Sequence, residues 1–193
     1  MALVDRAVFK TYLGVNRAVD LGDDDQLQVA LDSATAGINE ALDRHVALAG
    51  VAAATPRVFA TRHSPLLFID DCTTVTSLVD NTYALTATDY QLEPLNGIGR
   101  SGEYRPYSEV RRLGGYWYDS GGWANVTITA TWGWAQIPAP IVAACQILAK
   151  DILANRDVSF GIAAFTEYAG IRARENPQVW ARIQPYSLHV GVG

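Results

Sequence analysis

The 193-residue sequence predicts an α+β fold, and three observations carry that reading. Apolar residues recur in steps of three and four toward both ends of the chain, as on one face of a helix. Short alternating runs of β-branched and aromatic residues fill the middle. Pro56 and Pro138 stand where one period gives way to the other. Hydrophobic residues make up 49% and charged residues 18%, the balance of a chain that buries a core. A domain of this length needs neither disulfides nor metals to do so.

A first helix is expected over residues 5–13, with Val8, Phe9, Tyr12 and Leu13 on one face and Gly14 as its stop. A linker then ends in Asp23-Asp24-Asp25. Leu27, Leu31, Ala34, Ile38, Ala41 and His45 form one stripe, which predicts a helix over 26–48, roughly 33 Å long. Asp23 or Asp24 can cap its free N–H groups, and the acidic run suits the positive end of the helix dipole. A metal site is the other use of such a run, but the spaced ligand loop of a calcium hand is missing. Ala30, Ala34, Ala36 and Gly37 are small enough to let a second helix approach closely.

The middle of the chain holds β-like runs at 57–62, 66–69, 75–79, 83–85, 90–92, 109–113 and 124–132. In the last of them Val126, Ile128, Ala130 and Trp132 alternate with threonines, the pattern of a half-buried strand. Asp80-Asn81 with Thr82 suits a tight hairpin turn. Two Gly-Gly pairs bracket a loop carrying Tyr116, Trp117 and Tyr118. Strands this short and this close predict an antiparallel sheet or a small barrel.

Helix returns at Pro138, with Pro140 in the first turn and Ile141, Ala144, Cys145, Leu148 and Ile152 on one face up to Asn155. Residues 157–175, interrupted by Gly161 and Gly170, read as a mobile or partner-ordered segment carrying Phe160, Ile162, Phe165, Tyr168 and Ile171. Pro177 opens a short helix over 178–183 that ends at Pro185, and the tail 186–193 is apolar and strand-capable.

The net charge of -5 argues against a protein that wraps nucleic acid, although an acidic protein can stand beside DNA it must not hold. Cys72 and Cys145 are far apart and read as free reduced thiols, which suits synthesis in the cytoplasm. Residues 1–6 put charge where a signal peptide needs an apolar run, and no apolar stretch reaches the ~20 residues that span a bilayer. Gly97-Ile98-Gly99-Arg100-Ser101-Gly102 spells a dinucleotide fingerprint, but that chemistry needs a helix next, and Pro106 stands in its way. His45, His63 and His189 have no second ligand at metal spacing. Asp70-Asp71 invites acid–base chemistry, yet neighbours on a strand point oppositely, which favours a turn or edge role. No cofactor, metal or catalytic set is expected. Arg100, Arg105, Arg111 and Arg112 interleave with Tyr104 and Tyr107, as in single-stranded nucleic-acid sites. Glu103 and Glu109 dilute that charge and favour a loop that orders on a protein partner.

Several segments together resemble one family. They are the short helix before Gly14, the long helix ending in Leu42-Asp43-Arg44-His45, and the strand Arg57-Val58-Phe59-Ala60-Thr61-Arg62. Asp89-Tyr90-Gln91-Leu92-Glu93-Pro94 follows. Val126-Thr127-Ile128-Thr129-Ala130-Thr131-Trp132-Gly133-Trp134 before Pro138 is the most specific, and Arg174-Glu175-Asn176-Pro177 with Ile183-Gln184-Pro185-Tyr186 closes the set. The chain resembles the head–tail connector (adaptor, or head-completion) proteins of long-tailed bacteriophages.

That resemblance implies one adaptor domain over 1–193. Its helical bundle would be formed by 1–55 and 138–193, with a β-rich insertion over 56–137. It implies a ring, dodecameric in relatives, in the neck of the virion beneath the portal protein. The ring would extend the DNA channel and carry a stopper or tail-terminator protein. Its partners would be copies of itself, the portal and that next protein, with double-stranded DNA passing without specific binding and no membrane involved. The stretch 97–123 exceeds the usual insertion. Protein contacts are expected at Leu188, His189, Val190 and Val192, whose apolar tail can add a strand to a neighbour. They are also expected at Tyr116, Trp117, Tyr118, Arg100 and Arg105. A mildly acidic channel wall is expected as well. Two other readings stay open: a tail-completion or baseplate module, and a glycan-binding module in which Tyr116, Trp117, Tyr118 and Trp123 stack on sugar.

Overall fold

The computed structural model describes residues 2–14, 24–49, 53–99, 102–154 and 169–188. Among these are five α-helices and an open, antiparallel, six-stranded sheet, so the fold is α+β. The chain divides into two compact units, one formed by Met1–Arg44 with Ile137–Gly193 and the other by His45–Gln136.

In the helical unit, α1 (Arg6–Tyr12) is capped by Asp5, whose carboxylate accepts the Ala7 N–H at 2.7 Å. Of its expected apolar face only Phe9 is fully buried; Val8 and Tyr12 are exposed, because a helix of about two turns offers a single inward position here. Gly14, at φ 75, ends it as expected. Helix α2 (Asp24–Leu42) buries Leu27, Leu31, Ala34, Ile38 and Ala41, the predicted stripe. Asp24 lies in its first turn and pairs with Lys10 at 2.5 Å and Arg6 at 3.6 Å. The cap expected of Asp23 falls outside the described residues.

Helix α2 ends at Leu42, sooner than the stripe suggests. Asp43 turns left-handed at φ 52, the Asp43 N–H reaches the Glu40 carbonyl, and the Arg44 N–H reaches that of Asn39. This is the double bond of a Schellman stop with Asp in the place glycine usually takes. His45 therefore lies beyond the helix and is exposed.

Helix α3 (Ala139–Ala154) buries Ile141, Ala144, Cys145, Leu148 and Ile152, and α4 (Ala169–Glu175) buries Ala169 and Ala173. The expected close approach to α2 comes from α4: a Cβ on Gly37 would lie 2.6 Å from the Ala169 backbone. Helix α5 (Pro177–Ile183) is capped by Asn176, and a 3-10 turn, Gln184–Tyr186, follows it. Phe160, Ile162, Phe165 and Tyr168 fall outside the described residues, whereas Ile171 sits exposed on α4.

The second unit holds β1 (Thr55–Ala60), β2 (Leu66–Asp80), β3 (Tyr83–Leu85), β4 (Tyr90–Glu93), β5 (Tyr107–Arg112) and β6 (Ala124–Trp132). Their order is β1-β6-β2-β5-β4, with β3 beside β2, so the open sheet and not the barrel is realised. Two predicted runs, 66–69 and 75–79, are one strand of 15 residues. Its first half pairs with β5 and its second with β6 and β3, and irregular register between Phe68 and Cys72 and again near Thr74 and Val75 absorbs the change. Asn81, at φ 57, makes the predicted hairpin turn between β2 and β3. Val126, Ile128 and Ala130 are buried with Leu67, Ile69, Leu78 and Val110 in the sheet's core.

Gly133 follows β6 at φ 109 and lets the chain run beside residues 47–49. The Trp134 N–H donates to the Ala47 carbonyl at 2.7 Å and the Ala49 N–H to the Trp134 carbonyl at 2.7 Å. A Cβ on Gly133 would stand 2.8 Å from both the Ala47 oxygen and the Ala49 nitrogen. Gly133→Ala is therefore expected to lower the stability of the chain by about 2 kcal/mol or more, through strain and displacement together. The shift of the denaturant midpoint measures this, and an unchanged midpoint would show that the crossing is not fixed.

Candidate interaction surface

The sequence offers few starting points for covalent chemistry, and the fold separates them. Asp70 and Asp71 do point oppositely, but inside the central strand β2 and not at a turn or edge. Asp70 is exposed and bonds Arg57 at 2.6 Å, while Asp71 is buried and accepts Trp134 Nε1–H at 2.7 Å. Burial pushes the Cys72 thiol up to about 12 and the Cys145 thiol to about 11, so neither is a ready nucleophile. Among the described residues no three His, Cys, Asp or Glu side chains gather as metal ligands do. The glycine motif closes a tight loop: the Gly99 N–H reaches the Glu103 carbonyl at 2.8 Å and the Arg105 N–H reaches that of Gly97 at 2.8 Å. No helix follows it, so its N–H groups are not a phosphate cradle.

The aromatic loop is built around one buried residue, Thr61, just past β1. The Thr61 N–H lies 3.2 Å from both Ser120 Oγ and Asn125 Oδ1. Its hydroxyl is within reach of the Tyr118 carbonyl and of Asn125 Oδ1, and Ser120 Oγ–H donates to the Thr61 carbonyl at 3.0 Å. These bonds hold residues 118–125 against the sheet.

Of the three consecutive aromatics only the middle one turns in. Trp117 is fully buried, donates Nε1–H to the Val110 carbonyl at 3.3 Å, and has the Arg112 guanidinium 5.5 Å from its ring. The expectation that Trp117 meets a partner or a sugar is corrected on that ground: it is a core residue. Tyr116 stays exposed, stacked on His63 at 4.7 Å. Tyr118 also stays exposed and lines a concavity of about 660 Å³ together with Tyr83, Trp123, Arg112, Asp80 and Asn81. Sequence reading did not find Tyr83, which the β2–β3 hairpin brings to this place; only the hairpin register could have revealed it.

The basic cluster is largely spent on carboxylates. Arg105 bonds Glu103 at 2.6 Å, and Arg111 holds Glu93 through Nε and Nη2. Arg100 lies outside the described residues. Leu188 is half-buried, its N–H 3.3 Å from the Leu42 carbonyl, while His189, Val190 and Val192 also lie outside them.

Glu93 and Glu109 face each other across β4 and β5. The hydrogen bond from Arg111 holds the Glu93 carboxyl below its usual range, while burial, and then the Glu93 charge, raise that of Glu109. The folded state thus holds the Glu109 proton more tightly than the unfolded chain does. That contribution is complete at low pH and is lost as pH rises through the raised value. Glu109→Gln is expected to stabilise the chain at neutral pH by about 0.5 kcal/mol, discounted for solvent, and to do nothing in acid. Paired denaturation curves at pH 7 and pH 3.5 would read this, and an equal effect at both would refute it.

No protein-family model matches the chain, and no curated protein does. Solved structures do. A chain from the neck of the empty gene transfer agent (GTA) particle, computed with C6 symmetry, shares the fold with TM-score 0.51 and 22% identity over 86% of this chain and 88% of that one. A chain from the virion of the native particle gives 0.49 and 20%, over 85% and 87%. A chain from the neck of the native particle, computed with C12 symmetry, gives 0.43 and 17%, over 88% and 93%. At such identities the likeness is one of fold.

Proposed function

We propose that this chain is a structural protein of a phage-type virion neck: a head–tail connector adaptor that closes into a ring beneath the portal. The ring extends the DNA channel and gives the next connector or tail protein its platform. The observation that supports this reading is the end-to-end likeness of fold to a neck chain, over 86% of this chain and 88% of the other. A helical bundle interrupted by a β-rich insertion is the architecture the family resemblance implies, and the division of the chain into a split unit and a continuous one agrees with it.

A ring requires two different faces on each subunit, and an acidic chain suits a wall along which DNA must slide. The partners in this reading are further copies, with twelve implied by the resemblance, the portal, and a stopper or tail-terminator protein. A tail-completion or baseplate module remains the second reading, since it would need the same kind of surfaces. The glycan reading keeps one observation in its favour, the exposed rings of Tyr118 and Trp123 beside polar groups.

Purified chain mixed with candidate portals and imaged by electron microscopy tests the proposal. A ring on the tail-facing end of a portal is expected. Failure to bind any portal, with binding to a tail or baseplate part instead, would move the chain to the second reading. The tail supplies a sharper check. Deleting 187–193 removes Ser187, whose hydroxyl donates to the Gln184 carbonyl at 2.8 Å, and everything past it. The helical unit is expected to fold without it but to lose portal docking, and undiminished docking would dismiss the tail as the anchor.

A further inference from the structure

The three most exposed large apolar side chains among the described residues are Trp123 at 80%, Tyr83 at 77% and Tyr118 at 76%. They come from two separated segments, yet all three line one concavity. The concavity is mostly apolar; Arg112 and Asp80 both line it, and the Arg112 Nη1 is buried and has no hydrogen-bond partner. The backbone beneath is fixed by the Thr61 network, so the rings are presented before any partner arrives. Trp, Tyr and Arg are the residue types that dominate protein–protein hot spots. An occupant should bring apolar surface for the rings and a carboxylate for the guanidinium.

The same chain carries that complement elsewhere. Asp25, Val29, Asp32 and Ala36 lie on α2 in steps of four, three and four, and all are exposed. This spacing puts them on one face of the helix. Val29 is 44% exposed between two carboxylates, and Ala36 leaves room for a large ring to approach.

We propose that the Tyr83–Tyr118–Trp123–Arg112 concavity of one copy grips the Asp25–Val29–Asp32–Ala36 face of α2 on the next copy. This contact rests on the ring reading above and gives it a head-to-tail interface made of two unlike surfaces. A helix face of carboxylates around one apolar side chain answers an aromatic hollow that holds Arg112 beside Asp80, and neither the three rings nor Val29 is buried in its own unit. Repetition from copy to copy leaves no hollow open once the ring closes.

Cross-linking tests it, because Cys72 and Cys145 are buried and leave the field to introduced thiols. Ala124→Cys chains, whose thiol lies on the concavity beside the intact rings, are mixed with Val29→Cys chains and treated with a short bismaleimide. The control mixture pairs Ala124→Cys with Val58→Cys, which is exposed on β1. Cross-linked dimer is expected to be strongly enriched over the control. In parallel, Tyr118→Ser with Trp123→Ser should weaken self-association by about tenfold or more, with the fold intact by circular dichroism. Chains that self-associate while the Val29 mixture cross-links no better than the control would overturn this contact and leave the ring reading standing. Chains that never self-associate, free or on a portal, would overturn both. N-acetylglucosamine oligomers or hyaluronan serve as the remaining probes. Their binding to the wild type, with loss on Trp123→Ser and no Val29 cross-link, would assign the concavity to a glycan and overturn the proposal.

Discussion

Strand β2 serves two sets of neighbours along its length, and the place where it changes from one to the other governs the sheet unit. Its first residues pair with β5, and from Cys72 onward it pairs with β6 and then also with β3. Two aspartates stand at that change. Asp70 is reached from β1 by Arg57, whose guanidinium passes 4.5 Å over the Trp132 ring on its way. Asp71 is buried, and a buried carboxylate without partners would cost several kcal/mol. Its oxygen accepts Trp134 Nε1–H, and its own carbonyl accepts the Gly133 N–H at 2.6 Å. Trp134 in turn holds residues 47–49 on both sides of its peptide. The entry of the chain into this unit and its exit from β6 are thus fixed by one carboxylate in the middle of the sheet.

The helical unit obeys a different constraint, close approach of backbones. Gly37 faces Ala169, and Gly170 faces the Glu40 carboxylate so closely that a Cβ would overlap it. Helix α4 can sit there because Gly37 has no side chain to meet the Ala169 backbone, whereas the Glu40 carboxylate at Gly170 ends a flexible side chain that can move aside. The last carbonyls of α2 gain further donors: Arg174 donates to that of Glu40, which also accepts the Asp43 N–H, at 3.1 Å and to that of Ala41 at 3.4 Å, and the Leu188 N–H meets that of Leu42. One seam therefore sets both the position of α4 and the end of α2.

What could be read from sequence was whatever depends on neighbours in sequence. The alternation in β6, the Asn81 hairpin, the stripe of α2 and the proline-led starts of α3 and α5 all follow from local spacing, and the structure has them. The union of two runs into β2 was not legible, because it depends on partners for Asp70 and Asp71 that lie far along the chain. The end of α2 was missed because Asp43 takes a left-handed turn that sequence reading reserves for glycine. The candidate surface was half legible. Three aromatics in a row cannot all face one way, and which one turns inward depends on the bond from Trp117 Nε1 to Val110. The arrival of Tyr83 from the β2–β3 hairpin depends on sheet register, which no local pattern states.

The loop over 118–125 separates what the fold needs from what it merely displays. Every bond that ties this loop to Thr61 uses a backbone group or the side chains of Ser120 and Asn125. The rings of Tyr118 and Trp123 take no part in that network, and serines in their place would leave it intact. Large rings held in water add nothing to folding and invite association. A loop fastened this firmly, with its most apolar side chains turned outward, is costly for a solitary chain and useful for one that meets a partner. The same holds for Val29 on α2, which the helix would replace with any polar residue at no loss to its core. In the proposed contact the side chains that a neighbouring copy meets are these exposed ones, and the Thr61 network fixes the backbone that carries Tyr118 and Trp123.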